Sequence, residues 1–215
     1  MSKDIFTDQF NKEFSTLNKE LPEIHLRMDY AIKDNFTGDI VKGYYDKIAF
    51  LTKPAIKSLA KAMEEFKKDD FQIIIFDTYR PMQAVKYFYQ EWAKKPIDKE
   101  LKQKYFPKLS KADLFEIGYL SKKSSHCRGS TIDMGLINKE GHLVDFGTCF
   151  DFFGEESHTN FEKLKKEVKE NRKYFVEIMQ RNGFKNYSKE WWHFTLTNEP
   201  FPETYFDFKV EDQNE

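Results

Sequence analysis

The chain is short of the features that mark several protein classes. No run of it approaches the roughly 18 apolar residues of a membrane-spanning helix, so no membrane partner is expected. Its start, MSKDIFTDQFNKEF, has no apolar stretch of signal-peptide length, which makes the cytoplasm the expected compartment. Charge of one sign is also missing: 35 Lys and Arg face 36 Asp and Glu, for a net charge of -1. Without a cationic excess a polyanion cannot be held by counterion release, so nucleic acid is not an expected partner. Two cysteines, Cys127 and Cys149, are too few to staple a chain of 215 residues. There is no internal repeat, linker or low-complexity tract.

What is present is apolar bulk, 40% hydrophobic and 17% aromatic with 22 Phe and 11 Tyr, enough to bury one core and too much for disorder. The expectation is a single domain over residues 1–215, with 1–22 as an N-terminal arm or helix and 209–215 as a frayed tail. Residues 29–45, DYAIKDNFTGDIVKGYY, alternate and turn at Thr37-Gly38 as strands and hairpins do. From Thr52 the period becomes helical, with Pro54 in the first turn and Ile56, Leu59, Ala60, Met63 and Phe66 in one stripe. Phe71–Phe76, FQIIIF, reads as a strand covered on both faces, followed by DTYRP and a helix opened by Pro81. A Lys-rich connection runs to about residue 110. Residues 124–137 combine a Gly turn with a strand, Glu140-Gly141 tips a hairpin, a long helix spans about 160–182, and EWWHFTLT closes the fold as a strand.

The chemistry concentrates on few residues. His126 lies seven residues before Asp133, and His193 lies three after Glu190. Two neutral imidazoles and one carboxylate form the ligand set that leaves Zn²⁺ an open fourth position, as hydrolytic sites require. In an extended segment Glu190 and His193 point to opposite faces, so Glu190 needs a bend or bulge to act on the same water. Taken singly, each has a structural alternative: His126 capping a turn, Asp133 binding amides, His193 filling a half-buried strand position. Arg80, after a buried strand and before Pro81, could stabilise an oxyanion or could brace Asp77. Asp151, among Phe150, Phe152 and Phe153, could hold an ammonium group or cap a turn. Cys127 reads as an inert thiol.

These segments, SSHCRGSTIDMGL, DTYRP, SKEWWHF and DNFTG, resemble the signatures of the VanX-type D-alanyl-D-alanine dipeptidases, zinc peptidases of the D-Ala-D-Ala metallopeptidase group. The resemblance runs in order from about Met28 to Phe208 and takes in FDFFGE, NEPFP and YFDF. It implies that His126, Asp133 and His193 bind one Zn²⁺, that Glu190 is the catalytic base, and that Arg80 polarises the scissile carbonyl. It also implies that Tyr30, Ser124 and Asp151 line a small pocket for the termini of a D,D-dipeptide. The implied fold is α+β, a small mostly antiparallel sheet with helices packed around it and the zinc site at the sheet. The sequence departs from the pattern at Cys127, where a small polar residue is expected, in a shorter hairpin through 138–141 and in a longer N-terminal arm. None of these removes a chemical group. A peptidoglycan D,D-carboxypeptidase or endopeptidase, and a non-catalytic zinc-stabilised binding module, are the alternatives. Antibiotic resistance, cell-wall recycling and nutrient use all accommodate such an enzyme, and homo-oligomerisation is left open.

Overall fold

The computed structural model describes residues 4–212. In chain order the elements are β1 (Ile5–Thr7), β2 (Phe14–Thr16), α1 (Leu17–Glu20), β3 (His25–Leu26), β4 (Phe50–Thr52), α2 (Lys53–Lys68), β5 (Gln72–Asp77), α3 (Met82–Gln90), α4 (Lys99–Tyr105), α5 (Lys111–Ile117), β6 (Thr131–Ile137), α6 (Lys166–Arg181), β7 (Phe184–Asn186), β8 (His193–Leu196) and β9 (Thr204–Phe206). The main sheet has the order β3-β5-β6-β8-β7. Its β3–β5 pairing is parallel, and β5–β6, β6–β8 and β7–β8 are antiparallel. Two further pairs, β1–β9 and β2–β4, stand outside it. Among the described residues no helix is long and apolar enough to cross a membrane.

The apolar run of β5 becomes an interior strand, with Ile73, Ile75 and Phe76 buried. The amphipathic stripe of α2 turns Ile56, Leu59 and Phe66 inward, and Phe66 meets Phe175 of α6 at a ring separation of 5.8 Å. Thr52 precedes α2 but does not cap it through its side chain; its hydroxyl is engaged by Ser130 Oγ at 2.7 Å.

Five expectations are corrected. Residues 29–45 form no hairpin strands: Asp29–Ala31 is a 3-10 turn, and Asn35 organises the rest. The Asn35 amide donates to the carbonyls of Asp29, Ile32 and Asp39, while its Oδ1 accepts from the Thr37 amide and hydroxyl. A side chain here replaces the ladder partners that strands would need. The N-terminal arm carries two three-residue strands, paired with β9 and β4, and is helical only at α1. The Lys-rich connection contains α4, capped by Asp98, and leads into α5, which opens with a Ser110/Asp113 capping box. The tail is not frayed at Val210, which is fully buried, donates to the Gly43 carbonyl and accepts from the Tyr45 amide; residues 213–215 lie outside the described residues. The long helix starts at Lys166 rather than near 160, because Thr159 is engaged by Ser188 and Asn186 instead of a helix turn.

Candidate metal centre

The site is assembled by strand register. β6 lies between β5 and β8, and Asp133 is the residue opposite both Asp77 and His193. On β5 the register shifts between Ile75 and Asp77, a bulge that sets Asp77 against Asp133 and sends the chain into Thr78-Tyr79-Arg80. His126 arrives from a 3-10 turn, Ser125–Arg128, whose N-cap is Ser124 and which ends at Gly129. Gly129 has φ +78, and a Cβ there would lie 2.2 Å from a Phe14 ring carbon, so only glycine fits.

Side-chain atoms of three residues that could hold a metal ion converge. His126 Nε2 lies 3.1 Å from Asp133 Oδ2 and 3.3 Å from His193 Nδ1, and His193 Nδ1 lies 3.0 Å from Asp133 Oδ1. The outer atoms of both rings are occupied. His126 Nδ1 is 2.6 Å from the Thr78 carbonyl oxygen, which can only accept, so Nδ1 carries the proton and Nε2 is left bare. His193 Nε2 is 3.3 Å from Ser125 Oγ, which leaves Nδ1 for the centre. Burial lowers the pKa of His126 and keeps it neutral.

Glu190 is not in the strand. It sits in the turn before β8, its amide donating to the Tyr187 carbonyl and its own carbonyl accepting from the His193 amide. That turn supplies the bend that the Glu190–His193 spacing demands, and Glu190 Oε2 lies 3.5 Å from His193 Nδ1. Burial, then the charges of Asp133 and Asp151, push its pKa well above the usual value. Arg80 is both brace and lining: Nε donates to Asp77 Oδ2 at 2.9 Å, Nη2 to Asp133 Oδ2 at 3.3 Å, and the guanidinium rests 4.9 Å from the centre of the Tyr30 ring. Asp151 accepts from the Tyr30 hydroxyl at 2.8 Å, and burial followed by the Asp133 charge raises its pKa. Tyr30, Ser124 and Asp151 all line one cavity of about 600 Å³ with His126, Asp133, His193 and Glu190.

The donor set fits a cation. Asp133 Oδ1 is buried without a hydrogen-bond partner, an omission that a buried carboxylate tolerates only when something else satisfies it. Asp77, Asp133, Asp151 and Glu190 are buried acidic side chains, and Arg80, bonded to Asp77 and Asp133, is the one guanidinium among them, so the site is short of positive charge. Nitrogen and oxygen donors with an aqueous cavity on one side suit an open catalytic metal position. Cys127, beside His126, is fully buried, and burial pushes its thiol up to about 12, an inert group. Sequence reasoning did not single out the Thr78 carbonyl, the Ser125 hydroxyl or Tyr44, whose hydroxyl donates to Asp77 Oδ1 at 2.7 Å. A main-chain carbonyl leaves no sequence signal, and a lone Ser or Tyr in a motif leaves a weak one.

Comparison with known proteins bears on the same segments. The peptidase M15 family, described as D-ala-D-ala dipeptidase, matches residues 11–211. A D-alanyl-D-alanine dipeptidase of Enterococcus faecalis is 38% identical over 198 residues, 92% of this chain and 98% of its own. One from Streptomyces coelicolor is 34% identical over 199 residues with the same coverage, and one from Escherichia coli is 30% identical over 81% of this chain and 80% of its own.

Proposed function

Because the chain belongs to the D-Ala-D-Ala dipeptidase family of metallopeptidases, we propose that it hydrolyses free D-alanyl-D-alanine to two D-alanines, using one Zn²⁺ held by His126, Asp133 and His193 and Glu190 as general base. The observation that carries this reading is the convergence of His126 Nε2, His193 Nδ1 and an Asp133 carboxylate with an unpartnered oxygen, beside a buried Glu190. When bound, zinc supplies Lewis acidity that brings the pKa of water toward about 7 and polarises a carbonyl. Glu190, its pKa raised by burial, takes a proton from the attacking water and gives it to the leaving amine. Arg80, fixed by Asp77, faces the cavity as the donor for the negative charge that develops on the carbonyl oxygen. Asp151, buried and held by Tyr30, pairs with the free ammonium of the dipeptide, and Ser124 lines the same cavity.

A cell-wall carboxypeptidase would need an open groove. Asp151 and Phe153, both buried and lining the cavity, come from the 145–160 segment and give it a wall on that side, which supports a short substrate. A binding module without activity would have no use for Glu190 and Arg80 beside the ligands. The test is D-alanine release from D-Ala-D-Ala by zinc-loaded protein, beside L-Ala-L-Ala and an acylated D-Ala-D-Ala tripeptide, with Glu190→Ala as control. Cleavage of the free D,D-dipeptide alone, lost in the variant while zinc stays bound, supports the dipeptidase. Equal cleavage of the blocked substrate moves the protein to the carboxypeptidases, and no cleavage at all refutes the catalytic reading.

A further inference from the structure

The segment that carries Asp151 and Phe153 is tied down twice. The first tie is to its backbone: Arg172 of α6, buried, donates to the carbonyls of Glu156 and His158, at 2.8 and 2.6 Å, and to that of Phe146. With carbonyls rather than a carboxylate as partners, burial lowers the Arg172 pKa to about 10. The second tie is a side chain. His158 Nε2 shares a 2.8 Å hydrogen bond with the hydroxyl of Tyr119. Tyr119 follows α5, lines the cavity, and packs its ring 5.7 Å from that of Phe153, which in turn meets Phe36 at 5.2 Å. The bond therefore joins the two loops that line the site, 118–126 and 150–158, across 39 residues of sequence. His158 itself does not line the cavity, and the reaction proposed above makes no use of it.

We propose that His158 is a positioning residue that sets substrate length: through Tyr119 it keeps Phe153 and Asp151 close enough to exclude a D,D-dipeptide whose amine carries an acyl or peptidyl group. The proposal rests on the dipeptidase reading above. A free ammonium needs only the Asp151 carboxylate, held by Tyr30 with the backbone of Asp151 at φ +60. An acylated nitrogen brings no charge to offset the burial of that carboxylate and needs room past Phe153, which is only 2% exposed. Because Arg172 holds the His158 carbonyl, and the His158 amide donates to Glu155, the backbone of the segment is secured without the imidazole. Removing the ring loosens the wall and leaves the fold.

The experiment compares the full zinc-loaded chain with His158→Ala and His158→Gln, on D-Ala-D-Ala and on N-acetyl-D-Ala-D-Ala. Glutamine can restore a hydrogen bond to Tyr119. His158→Ala is expected to raise KM for the free dipeptide more than it lowers kcat, and to shrink the ratio of kcat/KM, free over acetylated, on the order of fivefold, the worth of one hydrogen bond. His158→Gln is expected to recover most of both. Hydrogen exchange gives a readout free of activity: the alanine variant should exchange faster over 118–124 and 150–154 while α6 keeps its protection. An unchanged ratio, a glutamine variant no better than alanine, or loss of protection in α6 as well would each overturn the proposal. A wild type that cleaves the acetylated dipeptide as fast as the free one overturns the exclusion role. A wild type inactive on the free dipeptide overturns the dipeptidase reading instead, and the exchange data still decide whether His158 holds the two loops together.

Discussion

Replacing Asp151 with asparagine separates binding from chemistry. The change keeps the shape of the side chain and an oxygen to accept from the Tyr30 hydroxyl, now at 2.8 Å, and removes only the negative charge. Asp151 is 4% exposed, so an ammonium reaching it is largely out of water, where a hydrogen bond to a charged group is worth about 1.5–3 kcal/mol. The expected loss in kcat/KM for D-Ala-D-Ala is about 10- to 150-fold, carried chiefly by KM. Zinc content should not change. Stability should move the other way. Burial and the Asp133 charge raise the Asp151 pKa, so the native state binds its proton more tightly than the unfolded chain does. The carboxylate therefore destabilises the fold increasingly as pH rises above its unfolded value near 3.8. Metal-free Asp151→Asn should thus unfold at a higher temperature than the metal-free parent at pH 7 and no higher well below pH 4. Steady-state kinetics, metal analysis and thermal denaturation at the two pH values are the assays. A fall in kcat with KM unchanged, or a loss of zinc, would refute the assignment of Asp151 to the substrate amine.

Three further outcomes follow from the geometry. Glu190→Gln should keep the metal and lose about 10²- to 10⁴-fold in turnover, measured by D-alanine release; zinc loss of the same size would make Glu190 a ligand rather than a base. Ser125→Ala removes the 3.3 Å partner of His193 Nε2, and zinc affinity should fall about tenfold or more in competition with a chelator, whereas an unchanged affinity would mean that His193 is oriented by packing alone. Gly129→Ala meets both an unfavourable φ of +78 and the Phe14 ring at 2.2 Å, so soluble yield and melting temperature should drop together; a melting temperature equal to the parent's would show that the turn can relax.

Legibility in the sequence tracked the range of the forces involved. α2, α3, β5 and β6 could be read because their apolar spacing records which face is buried. Residues 29–45 could not, since an asparagine side chain satisfies the backbone there and the apolar alternation is incidental. The same holds for Val210, whose burial depends on pairing with Tyr44 far away in sequence. At the site, the residue types could be weighed one at a time, but their meeting depends on the β6–β8 register that sets Asp133 opposite His193. No local pattern encodes that pairing, and the resemblance of the motifs to a known family carried the step. The need for a bend at Glu190 was nonetheless readable from spacing alone, and the turn from Tyr187 to His193 meets it.

The two imidazoles of the centre differ in how easily inheritance can damage them. His126 is aimed by the carbonyl of Thr78, an atom every amino acid possesses, so no single codon change at position 78 removes that acceptor. His193 is aimed by the hydroxyl of Ser125, which one substitution deletes. A substitution at position 125 can therefore remove a contact of the centre, whereas no substitution at position 78 removes the acceptor facing His126.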